Sequence, residues 1–530
     1  MLHARRLFTA HAESERRGVP VEELLEAQRD TRAHSRREFL SRGGALLAGA
    51  TLAARAASSR AAAPAQARTA PRVAIVGAGL AGLRCAHMLW TAAPHGPVGA
   101  TVYEANPQRA GGRCWTLRGF FDAGLATEHG GAFIDSDQLQ IRRLVAQLGL
   151  QEEVVDGGDL PSGEEVYWID GAYYTYAEAN ADWRSVGYRV FRHALRESHS
   201  SAGEARLDAM SVPEWLDSTE IGTGSRFGRL MLANTVSENG GDPDEQSALD
   251  LIELTGHNPR SSLDPISGVD ERFHVVGGND QIVSGMVAQL PEEAVRLAHQ
   301  LVAIAANPDG STTLSFDVSG VTLDVVADLV VLALPFSTLR DVDLSRSGLS
   351  ARKQTVIQTL GMGSNAKIHV QLSHKTWPAL GFSGATYGEW EEFCCAWDDS
   401  VPAGADASPA LFLGFPGGHV GRSLLTGQAH GEAPPADVAW LLEQIEPIYP
   451  GTTAAYSGRA YEDHWALDPG VLGAYSFYRV GQAATYGAIA AAAEGPIHFA
   501  GEHTESENQG FLDGAVASGE RAARELLRSL

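Results

Sequence analysis

The chain has 530 residues, 44% of them apolar and 20% charged, a composition that excludes disordered and fibrous proteins and leaves room for about two to four domains. Its 65 acidic against 41 basic side chains give a net charge of −24, which argues against nucleic acid as a partner, because a phosphate backbone needs a basic surface. No apolar run reaches the roughly 18 residues of a membrane span. The four cysteines, Cys85, Cys114, Cys394 and Cys395, are too few for a disulfide framework, and no Cys/His spacing points to zinc, so no metal is expected.

Residues 1–67 stand apart, with 11 arginines, no lysine and seven acids. Within them Ser35-Arg36-Arg37-Glu38-Phe39-Leu40 precedes a mildly apolar stretch, Gly43 to Ala57, and Ala65-Gln66-Ala67 offers a small-x-small cleavage site. A paired arginine before such a stretch is the pattern of a twin-arginine export signal. The expectation is loss of residues 1–67, the twin-arginine export machinery as a partner, and a periplasmic or secreted protein. That route carries folded proteins, which suits a tightly held organic cofactor.

Arg72 to Val76 reads as a short buried strand, Gly77-Ala78-Gly79-Leu80-Ala81-Gly82 follows at once, and Leu83 to Ala93 reads as a helix. In such a strand–turn–helix unit Gly77 permits the tight turn, Gly79 lets a pyrophosphate approach the helix N-terminus, and Gly82 lets helix and strand pack closely. A second strand, Ala100 to Tyr103, ends in Glu104, placed to accept hydrogen bonds from a ribose. The next segment, Arg109-Ala110-Gly111-Gly112-Arg113, is a second anion-binding loop that a simple nicotinamide enzyme does not need.

With this segment the sequence resembles the flavin-containing amine oxidase family: monoamine oxidases, polyamine oxidases and L-amino-acid oxidases. Further blocks match in the family's order: Glu128-His129-Gly130-Gly131-Ala132, Gly277-Gly278-Asn279-Asp280 before a helix Gln281 to Leu290, the strand start Leu301-Val302, the apolar strand Ala327 to Pro335, Ile497 to Glu502, and Gly510 to Ala515. The resemblance covers about 70–150, 270–345, 360–378 and 455–528. It implies an α/β fold, an FAD-binding Rossmann-like (GR2-type) domain with an inserted α+β substrate domain. The FAD domain is expected over 70–150, 266–345 and 490–530. The substrate domain is expected over 151–265 (helical, with patches Ala181 to Glu197 and Val212 to Leu216) and 346–489 (sheet-rich).

The same resemblance implies FAD contacts from Gly77, Gly79, Gly82, Glu104, Arg109, Gly112, Arg113, Gly130, Gly131, Val302, Gly501, Glu502, Gly510 and Phe511. Val302 would meet adenine through its backbone, Glu502 the ribityl or phosphate side, and the helix N-terminus near Gly510 to Gly514 the flavin pyrimidine. Lys367 would reach a water near flavin N5. The chain has only three lysines, so one on this position by chance is improbable. Tyr475 and Phe511 would wall the substrate amine, with Phe133 and Trp465 as further lining, and Tyr461 is balanced between core and site. Ala474 stands where some monoamine oxidases carry the cysteine that bonds flavin, so FAD is expected to be non-covalent. Cys85, Cys394 and Cys395 read as packing residues, His129 as structural, and Glu389, Glu391 and Glu392 as a solvated face.

The leading expectation is oxidation of a primary or secondary amine, with oxygen as acceptor. Imine and hydrogen peroxide result, and hydrolysis gives an aldehyde or ketone plus ammonia or amine. The alternatives are an L-amino-acid oxidase, a dehydrogenase using a periplasmic electron carrier, and a flavin-binding scaffold; a homodimer is left open. L-α-amino-acid oxidases place an arginine for the substrate carboxylate where this chain has Phe133. That favours amines, unless another arginine (Arg184, Arg189 or Arg226) replaces it.

Overall fold

The computed structural model describes residues 71–94, 96–155, 163–264, 269–400, 408–423 and 426–530. The arginine pair and its cleavage site lie outside them. Strand β1 (Val73–Val76) leads through the glycine turn into helix α1 (Leu80–Thr91), and β2 (Ala100–Tyr103) returns beside β1. Three further strands, β3 (Val295–Arg296), β4 (Leu329–Leu332) and, near the C-terminus, β7 (Ile497–Phe499), complete a parallel sheet in the order β7-β4-β1-β2-β3. Every residue of β1 is buried, as an all-apolar strand covered on both faces requires. Helix α2 (Leu512–Ser529) lies on α1: a Cβ on Gly519 would come 2.3 Å from the Ala81 carbonyl, and the Arg84–Glu520 ion pair of 2.6 Å is buried between them.

A second layer is an eight-stranded, mostly antiparallel sheet. Its centre is β5 (Ala366–Leu372), every residue buried, paired with β6 (Tyr456–His464) so that Lys367 stands opposite Asp463. Against this sheet pack helices from the first inserted segment, among them Tyr176–Asp182 and Val212–Asp217, each opened by a capping box (Thr175 with Glu178, Ser211 with Glu214).

Several boundaries differ from the sequence expectation. Helix α1 begins at Leu80 rather than Leu83, because the glycine turn itself ends in the helix, and the helix after the Gly-Gly-Asn-Asp motif spans Asp280–Val287. The patch Ala181 to Glu197 is interrupted by a π-helical turn, Trp183–Gly187. The strand over Ala327 to Pro335 is two elements: Ala327 closes Val321–Ala327, and β4 follows after Asp328. The segment 151–265 is not purely helical; it gives Glu164–Ile169 and Ala172–Thr175 to the eight-stranded sheet, its alternation masked by aromatic residues. Among the described residues no helix is long and apolar enough to cross a membrane.

Candidate functional site

The two glycine loops are folded against each other. Gly77 has φ +101° and donates its N–H to Tyr103, and Gly111 donates to the Ala78 carbonyl at 2.8 Å. A Cβ on Gly82 would sit 2.0 Å from the Gly77 carbonyl oxygen, so turn and helix touch there. Gly79, by contrast, would meet no protein atom within 4 Å, and no side chain caps the helix it opens. An uncapped N-terminus facing open space suits an anion. Helix α2 begins in the same way, with Phe511 at its N-cap position and no capping side chain. The residues present therefore fit a dinucleotide laid across both helix starts.

Glu104 accepts from the Ala78 and Asn106 N–H groups at 2.7 and 2.8 Å, and burial raises its carboxyl above the usual range. Val302 falls where the register slips between Leu301 and Ala303, outside the paired positions of its strand. Arg109, half-buried, donates to the Gly112 carbonyl and lies 4.0 Å above the Trp115 ring, its guanidinium lowered by burial. Arg113 donates to the Ala474 carbonyl at 2.6 Å and pairs with Glu502 at 3.0 Å.

Glu502 is taken up by protein donors: Arg113, the Ser476 N–H and hydroxyl, and the Gly510 N–H. Burial works to raise its carboxyl, and Arg113, His503 and Ser476 outweigh it and hold it below the ordinary value. Here the carboxylate ties the 475–476, 501–502 and 510–511 loops together. Gly501, at φ +126°, makes that turn and donates to Ser518.

The loop 128–131 crosses above these elements. A Cβ on Gly130 would meet the Arg113 carbonyl at 2.0 Å, and one on Gly131 would meet Leu512 at 2.6 Å, so both positions require glycine. Lys367 Nζ donates to the Glu128 and Gly130 carbonyls at 2.9 and 2.8 Å. Burial lowers its ammonium, while Asp399, Asp463, Glu128 and Glu271 favour the charged form. Asn279 holds the same loop, donating through Nδ2 to Gly131 and Ala132 and through its N–H to Glu128. The Gly-Gly-Asn-Asp motif thus serves the loop as well as opening a helix, a role its sequence position alone did not reveal.

Tyr475 packs its ring beside Gly510, the neighbour of Phe511, and donates its hydroxyl to the Ser237 carbonyl at 2.5 Å. Tyr475, Phe511 and Phe133 are each half-buried, and Phe133 lies 6.2 Å from the Trp397 ring. Trp465 is buried beneath the loop, donating to the His129 carbonyl at 2.8 Å and meeting His430, and Tyr461 packs on Phe120 and His129. All four cysteines are free and buried. Glu389 receives Arg229 and the Asp170 N–H, and Glu391 and Glu392 are exposed.

Two features were not anticipated. Asp463 gathers three histidines. His129 Nδ1 and His430 Nδ1 lie 2.7 and 2.6 Å from its Oδ1, and His369 Nε2 lies 3.6 Å from its Oδ2. His369 also reaches Asp399 at 3.0 Å, and His430 reaches Asp468 at 3.0 Å. His129, His430 and Asp463 converge closely enough to be a donor set for a metal ion, yet 2.6–2.7 Å is the separation of groups hydrogen-bonded to one another. These residues are scattered over more than 330 positions, so no spacing signals them. The second feature is Glu238, in the last turn of helix Arg226–Asn239, whose carboxyl makes no hydrogen bond or ion pair among the described residues. Its carboxyl is pushed up to about 8 by burial and by Asp135 and Asp264, and its charge acts on Tyr475 and Tyr387.

A double glycine cradle, two open helix N-termini and a buried lysine bonded to the loop between them suit a flavin-dependent oxidoreductase. The chain belongs to the flavin-containing amine oxidoreductase family, whose model matches residues 80–527. It is 26% identical over 487 residues to amine oxidase [flavin-containing] A of Bos taurus, covering 86% of this chain and 85% of that protein. It is 24% identical over 515 residues to pseudooxynicotine dehydrogenase of a Pseudomonas species, covering 92% and 94%. In fold it resembles cyclohexylamine oxidase from Brevibacterium oxydans (TM-score 0.72, 20% identity, 87% of this chain and 99% of that one). It also resembles putrescine oxidase bound to putrescine (0.71, 22%, 86% and 99%). The chain is thus an FAD-dependent amine oxidase enzyme with a mixed α/β fold.

Proposed function

We propose that this enzyme oxidises primary or secondary amines that lack an α-carboxylate, passing the electrons to oxygen. The products are an imine, which hydrolyses to an aldehyde or ketone, and hydrogen peroxide. Bound FAD supplies the hydride acceptor. The observation that carries the substrate reading is the lack of a positive partner for a substrate carboxylate. Phe133, half-buried beside Trp397, stands in place of an arginine, and Glu238, whose carboxyl is pushed up to about 8 and acts on Tyr475, offers no positive charge. The three arginines that might have substituted are placed elsewhere: Arg189 pairs with Glu220 at the surface, Arg226 donates to the Tyr173 carbonyl and covers Tyr174, and Arg184 is exposed. A panel of amines and amino acids, followed anaerobically by flavin bleaching and aerobically by peroxide, tests this; bleaching by amino acids alone refutes it.

A second reading replaces oxygen with an electron carrier. The relative named a dehydrogenase supports it, and bleaching without peroxide on re-aeration would identify it. We further infer that FAD is held without a covalent bond, since Ala474 occupies the position where a cysteine would be needed. The segments 70–150, 266–345 and 490–530 are assigned to the FAD domain, and 151–265 with 346–489 to the substrate domain. The Arg36-Arg37 pair is assigned to twin-arginine export; replacing both by lysine should leave precursor in the cytoplasm.

A further inference from the structure

Lys367 is a cation in a dry setting. It is 5% exposed, and its two hydrogen-bond acceptors are neutral carbonyls, so neither supplies a counter-charge. An ammonium taken out of water gives up its proton unless a negative charge stands near. The antiparallel register places Asp463 directly across from Lys367, which puts both side chains on one face of the sheet. Asp463 is fully buried, and its Oδ2 faces His369 Nε2 at 3.6 Å, beyond ordinary hydrogen-bond distance. Its other oxygen is shared by His129 and His430. His430 is the more exposed of the two and is also held by Asp468 on its far nitrogen.

We propose that Asp463, together with Asp399, supplies the counter-charge that keeps Lys367 a cation inside the fold, and that His430 sets how much of the Asp463 charge Lys367 feels. The remaining charged groups around the pair are Glu128 and Glu271 toward Lys367, His129, His369 and Arg109 toward Asp463, and Glu462 and His464 on the same strand. Burial opposes ionisation of Asp463, and its three histidines overcome it; burial likewise opposes charge on His430, and Asp463 and Asp468 overcome it. In its protonated form His430 therefore competes with Lys367 for one carboxylate. The two substitutions then have opposite signs. Asp463→Asn removes the anion and weakens proton binding at Lys367. His430→Asn keeps a donor where Nδ1 stood but removes the competing positive charge, and strengthens it.

The chain's three lysines make the test direct. In holoenzyme carrying lysine labelled with carbon-13 at Cε, the Lys367 resonance is assigned by its loss in Lys367→Met and then titrated. Relative to the unsubstituted enzyme, the midpoint should fall by about one pH unit or more in Asp463→Asn, a tenfold weaker proton affinity. It should rise in His430→Asn. Midpoints that do not move, or that move in the same direction in both variants, overturn the proposal. Should Asp463→Asn fail to fold, His430→Asn alone still decides, because only a rise agrees with it. The proposal rests on Lys367 lying at the flavin site, but the titration reads its charge without turnover. An inactive role for Lys367 in oxygen chemistry would therefore appear separately, as unaltered half-reactions in Lys367→Met.

Discussion

Gly79 and Gly112 lie against one another: a Cβ on Gly112 would stand 3.5 Å from the Gly79 Cα, although the open side of Gly79 meets no protein atom within 4 Å. Gly79 and Gly82, in the same loop, differ in kind. Gly82→Ala drives a methyl into the Gly77 carbonyl at 2.0 Å and should destabilise the fold by about 3 kcal/mol or more. Gly79→Ala should leave the stability of flavin-free protein within about 0.5 kcal/mol and weaken FAD binding instead. Thermal unfolding of deflavinated protein, paired with FAD titration, separates the two; equal losses of stability would falsify the distinction.

Lys367→Met should slow the oxygen half-reaction by about 100-fold, the usual effect of removing one preorganised electrostatic group. The reduction by amine should slow less. Stopped-flow traces of the two half-reactions check this, and an equal loss in both removes Lys367 from that role.

Tryptamine should be preferred over L-tryptophan by at least about tenfold in kcat/KM, a difference of roughly 1.4 kcal/mol in transition-state binding. The pair differs only in the carboxylate, for which neither Phe133 nor Glu238 supplies a positive charge. A preference for the amino acid would mean that an arginine reaches the chamber by another path.

Glu238 predicts a pH signature of stability. Its folded carboxyl titrates near 8 and its unfolded one near the ordinary glutamate value, so between these values the native state binds the extra proton. Stability is lost as pH rises through that window and stays low above it. Its place in the last turn of a helix, at the negative end of the dipole, adds to the cost. Glu238→Gln should therefore raise the melting temperature more at about pH 9 than at about pH 5. An equal shift at both values removes Glu238 as the source.

What could be read from the sequence was whatever lies close together along the chain. The glycine turn, Glu104 and Arg109 to Arg113 occupy one continuous stretch, and the apolar run of β1 states its own burial. The loop 128–131 was legible as a motif, but the partner that fixes it, Asn279, acts across almost 150 residues. The Asp463 network was not legible, because His129, His369, His430, Asp399 and Asp468 meet only once β5 and β6 pair. Glu238 was missed for the opposite reason: a lone glutamate near a helix end looks like an ordinary solvated residue until the fold encloses it. Arg109 was expected to contact FAD; that it also stacks over Trp115 could not be read from its position in the motif.

The Arg84–Glu520 pair joins the first helix of the cofactor cradle to the last helix of the chain, and β7 completes the sheet that β1 began. As the ribosome emits this polypeptide, the first cradle helix waits more than 400 residues for the helix that packs on it. A nascent chain stalled anywhere before α2 would present an unfinished nucleotide cleft to the cell's chaperones and proteases.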